Sequence, residues 1–359
     1  MSIDSAATSS QNDRMSASSE LLSQAESLVQ GGQYRAAIDL LESSGSHEDV
    51  ELARRLVNLR IDAYSELNWP QPHDRWPPVH DDRFAGVQGF PEVEFSDLTA
   101  ADLKAGILGK GGLIVRNIMR PEWVELMCDN IARTLEARRA LAEEEPGAEA
   151  NPWYHRCDSV NGGPAQFRGG VRYTNIGSAW TVDSPPSAFQ AIKYFREIGL
   201  PALLNDYFEE QAVLSVRKWV VRCAAPNNGA SAGWHQDGQF LGDADAIRTA
   251  NLWVALTDCG GDADAPGMEM LSGTERKIME VGTRGAPFNW TVGPELVEEL
   301  AQENPVQCPR FNAGDGIFFD HYNLHRTGFG QNHTQNRFAL ESWFFAGSTA
   351  PRKQQPVVF

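Results

Sequence analysis

Long apolar runs are missing from this 359-residue chain. No stretch approaches the roughly 20 consecutive apolar residues that a helix needs to cross a bilayer. Basic residues are also scarce, with 31 Lys and Arg against 48 Asp and Glu, a net charge of −17. So acidic a chain offers no basic patch to a nucleic acid or an anionic membrane, and neither is expected as a partner. Cysteine is limited to Cys128, Cys157, Cys223, Cys259 and Cys308, scattered and without a CxxC pair. That set supplies neither a disulfide framework nor a zinc site and suits a reducing compartment. The opening MSIDSAATSSQNDRMSASSE has no basic start and no apolar centre, so no secretory signal is read and a cytoplasmic location is expected.

What is present reads as a large globular chain with an appendage. Residues 1–18 are Ser- and Ala-rich and are expected to be a disordered tail. Residues 19–67 show apolar positions at helical spacing, Leu22, Ala25, Leu28 and Val29, then Tyr34, Ala37, Ile38 and Leu41 beyond the break at Gly31-Gly32. Gly32 to Ile38 resembles the turn and second helix of a tetratricopeptide repeat. One unit cannot bury its own faces, so a helical hairpin packed on the main domain competes with a partner-binding repeat. Prolines at 70, 72, 77, 78 and 91 make 68–94 an irregular linker, laid across the next domain because Trp76 and Phe84 favour burial. His73 and His80 within it read as polar surface.

From 95 to 350 a larger domain is expected. Helices are read near 98–107, from Pro121 to about Leu141, and near 186–194 and 198–209. Apolar strands follow at 113–115, 212–222, 250–257, 316–319 and 337–345, separated by Gly, Pro, Asn and Asp turns. Helices first and strands after make an α+β chain around a β-sandwich or double-sheet jelly roll.

Chemistry concentrates in Gly233-Trp234-His235-Gln236-Asp237-Gly238. On an extended segment His235 and Asp237 share one face and can bind one metal. With a distant second histidine they form the two-His, one-carboxylate set that leaves coordination positions open. Ligand type alone suits Fe(II), Mn or Zn. For the second histidine, His321 shares the parity of His325, and His333 lies in a turn; the context His325-Arg326-Thr327-Gly328 favours His325.

Further segments follow in order: Leu252-Trp253-Val254-Ala255, Pro266-Gly267-Met268-Glu269-Met270-Leu271-Ser272-Gly273, Gly314-Asp315-Gly316-Ile317-Phe318-Phe319 and Arg337-Phe338-Ala339-Leu340. Together with the two histidine motifs they resemble the phytanoyl-CoA dioxygenase family of Fe(II)/2-oxoglutarate-dependent oxygenases, over about 95–347. The resemblance implies a double-stranded β-helix (jelly-roll) catalytic core flanked by helices, with the N-terminal hairpin as an extension. It implies His235, Asp237 and His325 as iron ligands, and Arg337 with Thr327 on the distal carboxylate of 2-oxoglutarate. Trp253 would line that pocket, and Arg222 or Lys218 would also touch the co-substrate. The implied cofactors are Fe(II), 2-oxoglutarate and O2.

A guanidinium fork suits a carboxylate better than an ammonium does. By alternation, Arg337, Ala339, Glu341 and Trp343 share one face, as do Asn251, Trp253 and Ala255. One departure is Ser272-Gly273-Thr274, where the family often has Gly-Ser-His; it falls on a loop. Asp315 reads as a turn residue, and Glu269 and Glu341 as solvated or hydrogen-bonded carboxylates. The carboxylate at Asp237, which related halogenases lack, favours hydroxylation, desaturation or ring formation over halogenation.

The expected activity is therefore hydroxylation of an unactivated C–H bond in a small molecule, with release of succinate and CO2. A donor-rich loop at 151–180, with Tyr154, Arg156, Gln166, Arg168, Arg172, Tyr173 and Asn175, would suit a polar or anionic substrate. Two rivals stand beside this. One is a catalytically silent scaffold whose N-terminal helices bind a protein partner; the other is a Zn or Mn enzyme on a similar barrel.

Overall fold

Helical spacing at the start of the chain becomes three helices: α1 (Asp4–Gln30), α2 (Tyr34–Ser43) and α3 (Val50–Glu66). These belong to a computed structural model that describes residues 4–44, 49–72, 75–156, 177–226, 233–273, 275–330 and 332–359. Helix α1 reaches into the segment read as a disordered tail. Asp49 caps α3 by accepting from the backbone N–H groups of Glu51 and Leu52.

The apolar faces of these helices are covered by the chain itself. Ala37, Ile38, Leu41 and Leu59 share one cluster with Phe189, Val213, Trp343, Phe345 and Val358. Polar contacts fix the same seam. Arg60 Nη1 donates to Val358 O at 2.8 Å, and the Tyr64 hydroxyl lies 3.2 and 3.1 Å from the carbonyls of Gly347 and Ala350. Leu59 is fully buried there. Leu59→Ala is expected to cost about 2–5 kcal/mol of unfolding free energy, read as a shift in the denaturant midpoint. An unchanged midpoint would separate these helices from the cooperative fold.

Beyond the linker, where Trp76 packs against Tyr207 and Phe208, come α4 (Ala100–Leu103), α5 (Pro121–Ala142), α6 (Pro185–Glu197) and α7 (Leu200–Phe208). Pro121, Pro185 and Pro201 sit in the first turns of their helices, where the missing N–H costs nothing. The last helix is α8 (Pro294–Leu300).

The strands are β1 (Glu92–Glu94), β2 (Leu113–Arg116), β3 (Ser178–Trp180), β4 (Ala212–Ala224), β5 (His235–Gln236) and β6 (Thr249–Ala255). They continue as β7 (Gly267–Leu271), β8 (Val306–Gln307), β9 (Gly316–Phe319), β10 (Leu324–Gly328), β11 (Arg337–Ala346) and β12 (Pro356–Val357). The larger sheet runs β1-β2-β9-β6-β11-β4-β12, with β3 also on β4; the smaller runs β5-β10-β7-β8. All pairs are antiparallel except β1 with β2. This mixed helix-and-sheet architecture, with two sheets, is consistent with a jelly-roll core.

Period-two alternation gives the larger sheet two different faces. Leu252, Val254, Phe318 and Leu340 join the core that includes Met127 and Ile131 of α5 and Ile192 and Phe195 of α6. Trp253, Ala255, Ile317, Phe319 and Ala339 point the other way and meet Met268 and Met270 of the smaller sheet. The space between the sheets is where the polar motifs converge.

Candidate metal centre

In the smaller sheet β10 pairs with β5 so that His325 lies directly opposite His235. Asp237 follows at the start of a short 3-10 turn, Asp237–Phe240. The rings of the two histidines are 4.4 Å apart between centroids, and Asp237 Oδ1 is 4.0 Å from His325 Nε2. One donor atom from each of the three residues falls within 4.8 Å of the others. A divalent ion with bonds of about 2.0–2.2 Å to such donors needs small side-chain adjustments to engage all three.

Local backbone sets the imidazole tautomers. His235 Nδ1 donates to Gly233 O at 3.0 Å, and His325 Nδ1 donates to Asn323 O at 3.1 Å. Each Nε2 is thereby left with its lone pair for a metal, the outer-shell bond that metal-binding histidines ordinarily make. Gly233 has φ +75°, and a Cβ there would stand 2.8 Å from Thr291 Cγ2, so glycine alone fits this turn. Asp237 is fixed as firmly. Its Oδ2 accepts from Asn251 Nδ2 at 2.5 Å, which turns Oδ1 toward the histidines. Between the ligands, the Gln236 side chain donates to Lys277 O and Tyr322 O and accepts from Met279 N.

The electrostatics fit a cation. Burial first, then His325, hold His235 down to about 4, and burial holds His325 down to about 4. Both imidazoles are thus neutral donors near neutral pH. Burial pushes Asp237 up to about 7. A buried carboxylate raised in this way gains most from a positive ion beside it. Asn251→Ala should free Asp237 Oδ2 and weaken divalent-metal affinity about 10–100-fold, measured by metal titration. Unchanged affinity would remove Asn251 from the positioning of Asp237.

Over Trp253, on the face of the larger sheet turned toward the smaller one, lies a buried arginine without an acid. Arg337 is 1% exposed; its Nη1 donates to Gly267 O at 3.1 Å and its Nε has no partner. No carboxylate among the described residues pairs with it, and burial lowers it to about 10. Its guanidinium lies 5.3 Å over the Trp253 ring. Gly267 has no room for a Cβ, which would meet Gly260 Cα at 2.4 Å. The adjoining Met268 is opposite Thr327 in the ladder, so Thr327 comes to the same end of the cleft. A buried, unpaired fork beside a hydroxyl and an aromatic wall fits an exogenous carboxylate.

Arg222 is engaged differently, with Nη2 2.9 Å from Glu341 Oε2. Lys218 has its ammonium 4.6 Å from the Trp343 ring and 5.0 Å from the Phe240 ring. Burial lowers its pKa, against the pull of Asp237 and Glu341.

The rival residues are accounted for. His321 is buried, with Nδ1 at Thr249 Oγ1 and Nε2 at Ala244 O. It is a satisfied core histidine. His333 accepts from Gly330 N in its turn. Asp315 accepts from the backbone of Asn117 and Asn312 and pairs with Arg116, and Glu269 pairs with Arg326. His80 is exposed. His73, Thr274 and the loop residues Gln166, Arg168, Arg172, Tyr173 and Asn175 lie outside the described residues. Sequence reasoning did not identify Asn251 as the partner of Asp237, although their shared cavity face was the available signal. Nor did it find Trp290 beside His235, or Phe288 stacked on Trp290.

The profile of the family described as phytanoyl-CoA dioxygenase (PhyH) matches residues 109–339, well over half of the chain. Among solved structures, EctD from S. alaskensis, determined with 2-oxoglutarate and 5-hydroxyectoine, is 15% identical at a TM-score of 0.46. The match covers 70% of this chain and 76% of that one. SnoK, a non-haem α-ketoglutarate-dependent carbocyclase from nogalamycin biosynthesis, is 14% identical at a TM-score of 0.45, over 71% of this chain and 86% of its own. Likeness at that level carries no functional information by itself. No curated protein gives a match.

Proposed function

The chain belongs to the phytanoyl-CoA dioxygenase family of Fe(II)/2-oxoglutarate-dependent oxygenases, and from that premise we propose that it hydroxylates an unactivated C–H bond of a small molecule. It is a 2-oxoglutarate-dependent oxygenase with Fe(II), 2-oxoglutarate and O2 as its cofactors. When bound, iron and co-substrate supply the oxidising chemistry, one O2 and one 2-oxoglutarate giving succinate, CO2 and an oxygen atom for the substrate.

The observation that supports the site assignment is the meeting of His235, Asp237 and His325, together with an acid-free Arg337 buried over Trp253. In this reading the two Nε2 atoms and Asp237 Oδ1 hold the metal on one side and leave its other side open. Arg337 and Thr327 grip the far carboxylate of the co-substrate, with Trp253 as the wall under it. The small side chains of Ala255 and Ala339, both fully buried, leave room for the acid. The apolar surround of Phe311, Phe319 and Met268 keeps water from the cleft. The Arg222–Glu341 pair bounds the cavity on the β4 side, and a direct contact of Arg222 with the co-substrate is part of the proposal.

The carboxylate at Asp237 supports oxygen insertion over halogenation. The silent-scaffold alternative needs a free apolar face on the N-terminal helices, and that face is largely occupied by the chain itself. Turnover under 18O2 with a metabolite panel tests the reaction type. Hydroxylation predicts one labelled oxygen in the product and one in succinate. An unlabelled, desaturated or cyclised product would overturn hydroxylation and leave the oxygenase assignment standing.

A further inference from the structure

Four side chains near His235 stand outside the set proposed above to hold iron and co-substrate. Phe288 and Trp290 stack at 5.5 Å with an interplanar angle of 6°. Trp290 stands 6.1 Å from the His235 ring on one side and 6.1 Å from Phe240 on the other. Phe240 is 37% exposed, the one aromatic among the exposed large hydrophobic residues described. Beyond it the half-buried Lys218 ammonium sits between the Phe240 and Trp343 rings. The aromatic strip is held in register with the ligands, because Gln236 bonds Lys277 and Met279 at the root of its loop and Val292 N bonds Trp234 O at its end.

Charge accounting, which rests on the cofactor reading above, singles out Lys218. Arg222 is matched by Glu341, and Arg337 would be matched by the distal carboxylate of 2-oxoglutarate. The two charges of Fe(II) would be matched by Asp237 and the other carboxylate. Among the described residues no carboxylate makes an ion pair with Lys218, and one positive charge remains. A half-buried ammonium left without an ion-pair partner is stabilised by an anion.

We propose that the substrate is a planar, ring-bearing monoanionic acid, its carboxylate held by Lys218 and its ring laid along Phe240, Trp290 and Phe288. Aromatic faces select flat rings through stacking, and the acid fixes which end of the molecule points toward Trp343.

Binding without turnover tests this. The probes are indole-3-acetate, its neutral isostere indole-3-acetamide, and the saturated acid cyclohexylacetate. They are titrated calorimetrically into the anaerobic protein loaded with Fe(II) and 2-oxoglutarate, after the visible band of that complex has been recorded. Indole-3-acetate is expected to bind at least about tenfold tighter than either control. Lys218→Met should erase the preference for acid over amide and leave 2-oxoglutarate affinity within about twofold. Trp290→Ala, at a half-exposed position that does not threaten folding, should erase the preference for the aromatic over the saturated acid. Equal binding of acid and amide, or no binding of any probe, would overturn the proposal. So would a Lys218→Met protein that loses 2-oxoglutarate instead, since Lys218 would then serve the co-substrate. Absence of the visible band refutes the cofactor reading and this proposal together; the band without acid selectivity refutes this proposal alone.

Discussion

Asp237→Ala is expected to reduce succinate formation to the background of free iron in solution. Asp237 is the one carboxylate of the proposed ligand set, it is 4% exposed, and Asn251 already holds its second oxygen. Removing it leaves two neutral imidazoles facing a dication in a cleft poor in water. Deleting one partner of a buried charge pair costs about 3–5 kcal/mol, which is roughly two to three and a half orders of magnitude in metal affinity. The substitution also strands the Asn251 amide, whose Oδ1 is already without a partner. Stability should fall little, because Asp237 is raised to about 7 by burial in the metal-free protein and so contributes no favourable ion pair there. Wild-type succinate yields from the purified variant would refute the assignment of Asp237 as a ligand.

Arg337→Ala should leave metal binding nearly intact and raise the dissociation constant for 2-oxoglutarate by about two to three and a half orders of magnitude. The basis is the same cost of about 3–5 kcal/mol for a buried carboxylate left without its cation. Arg337→Lys should recover part of that loss, since an ammonium restores charge without the planar two-point grip. Without a ligand Arg337 is a liability, buried with an unpartnered Nε and a pKa lowered to about 10. A modest gain in thermal stability for Arg337→Ala without co-substrate is therefore consistent with the account. Equal 2-oxoglutarate affinities in wild type and variant would move the co-substrate elsewhere.

The separation of these two effects reflects what was legible in the sequence. Strand alternation alone put Trp253, Ala255, Arg337 and Ala339 on one face, because the period of two survives wherever both neighbours are paired. The pairing of His325 with His235 required the ladder, and parity could not separate it from His321. His321 is settled by partners contributed from Thr249 and Ala244, distant in sequence. The strands β7 and β10 escaped a pattern search for a related reason. Their residues Glu269, His325, Arg326 and Thr327 serve ion pairs and the cleft, so the apolar alternation that marks a strand is interrupted. Helix α1 extends past its apolar stripe into a Ser-rich segment that neither periodicity nor propensity marks as helical. The aromatic strip around Trp290 lies on a loop, where no repeat period announces a shared face.

The central claim is a single ferrous ion held by His235, Asp237 and His325, with 2-oxoglutarate chelated beside Arg337. Anaerobic titration of Fe(II) and then 2-oxoglutarate, followed by visible absorption, tests it most directly. A weak charge-transfer band should grow to saturation at one iron and one 2-oxoglutarate per chain. It should be absent from Asp237→Ala and shifted to far higher 2-oxoglutarate concentration in Arg337→Ala. A wild-type protein that binds iron yet never develops the band, or a band of full strength in Asp237→Ala, would contradict the account.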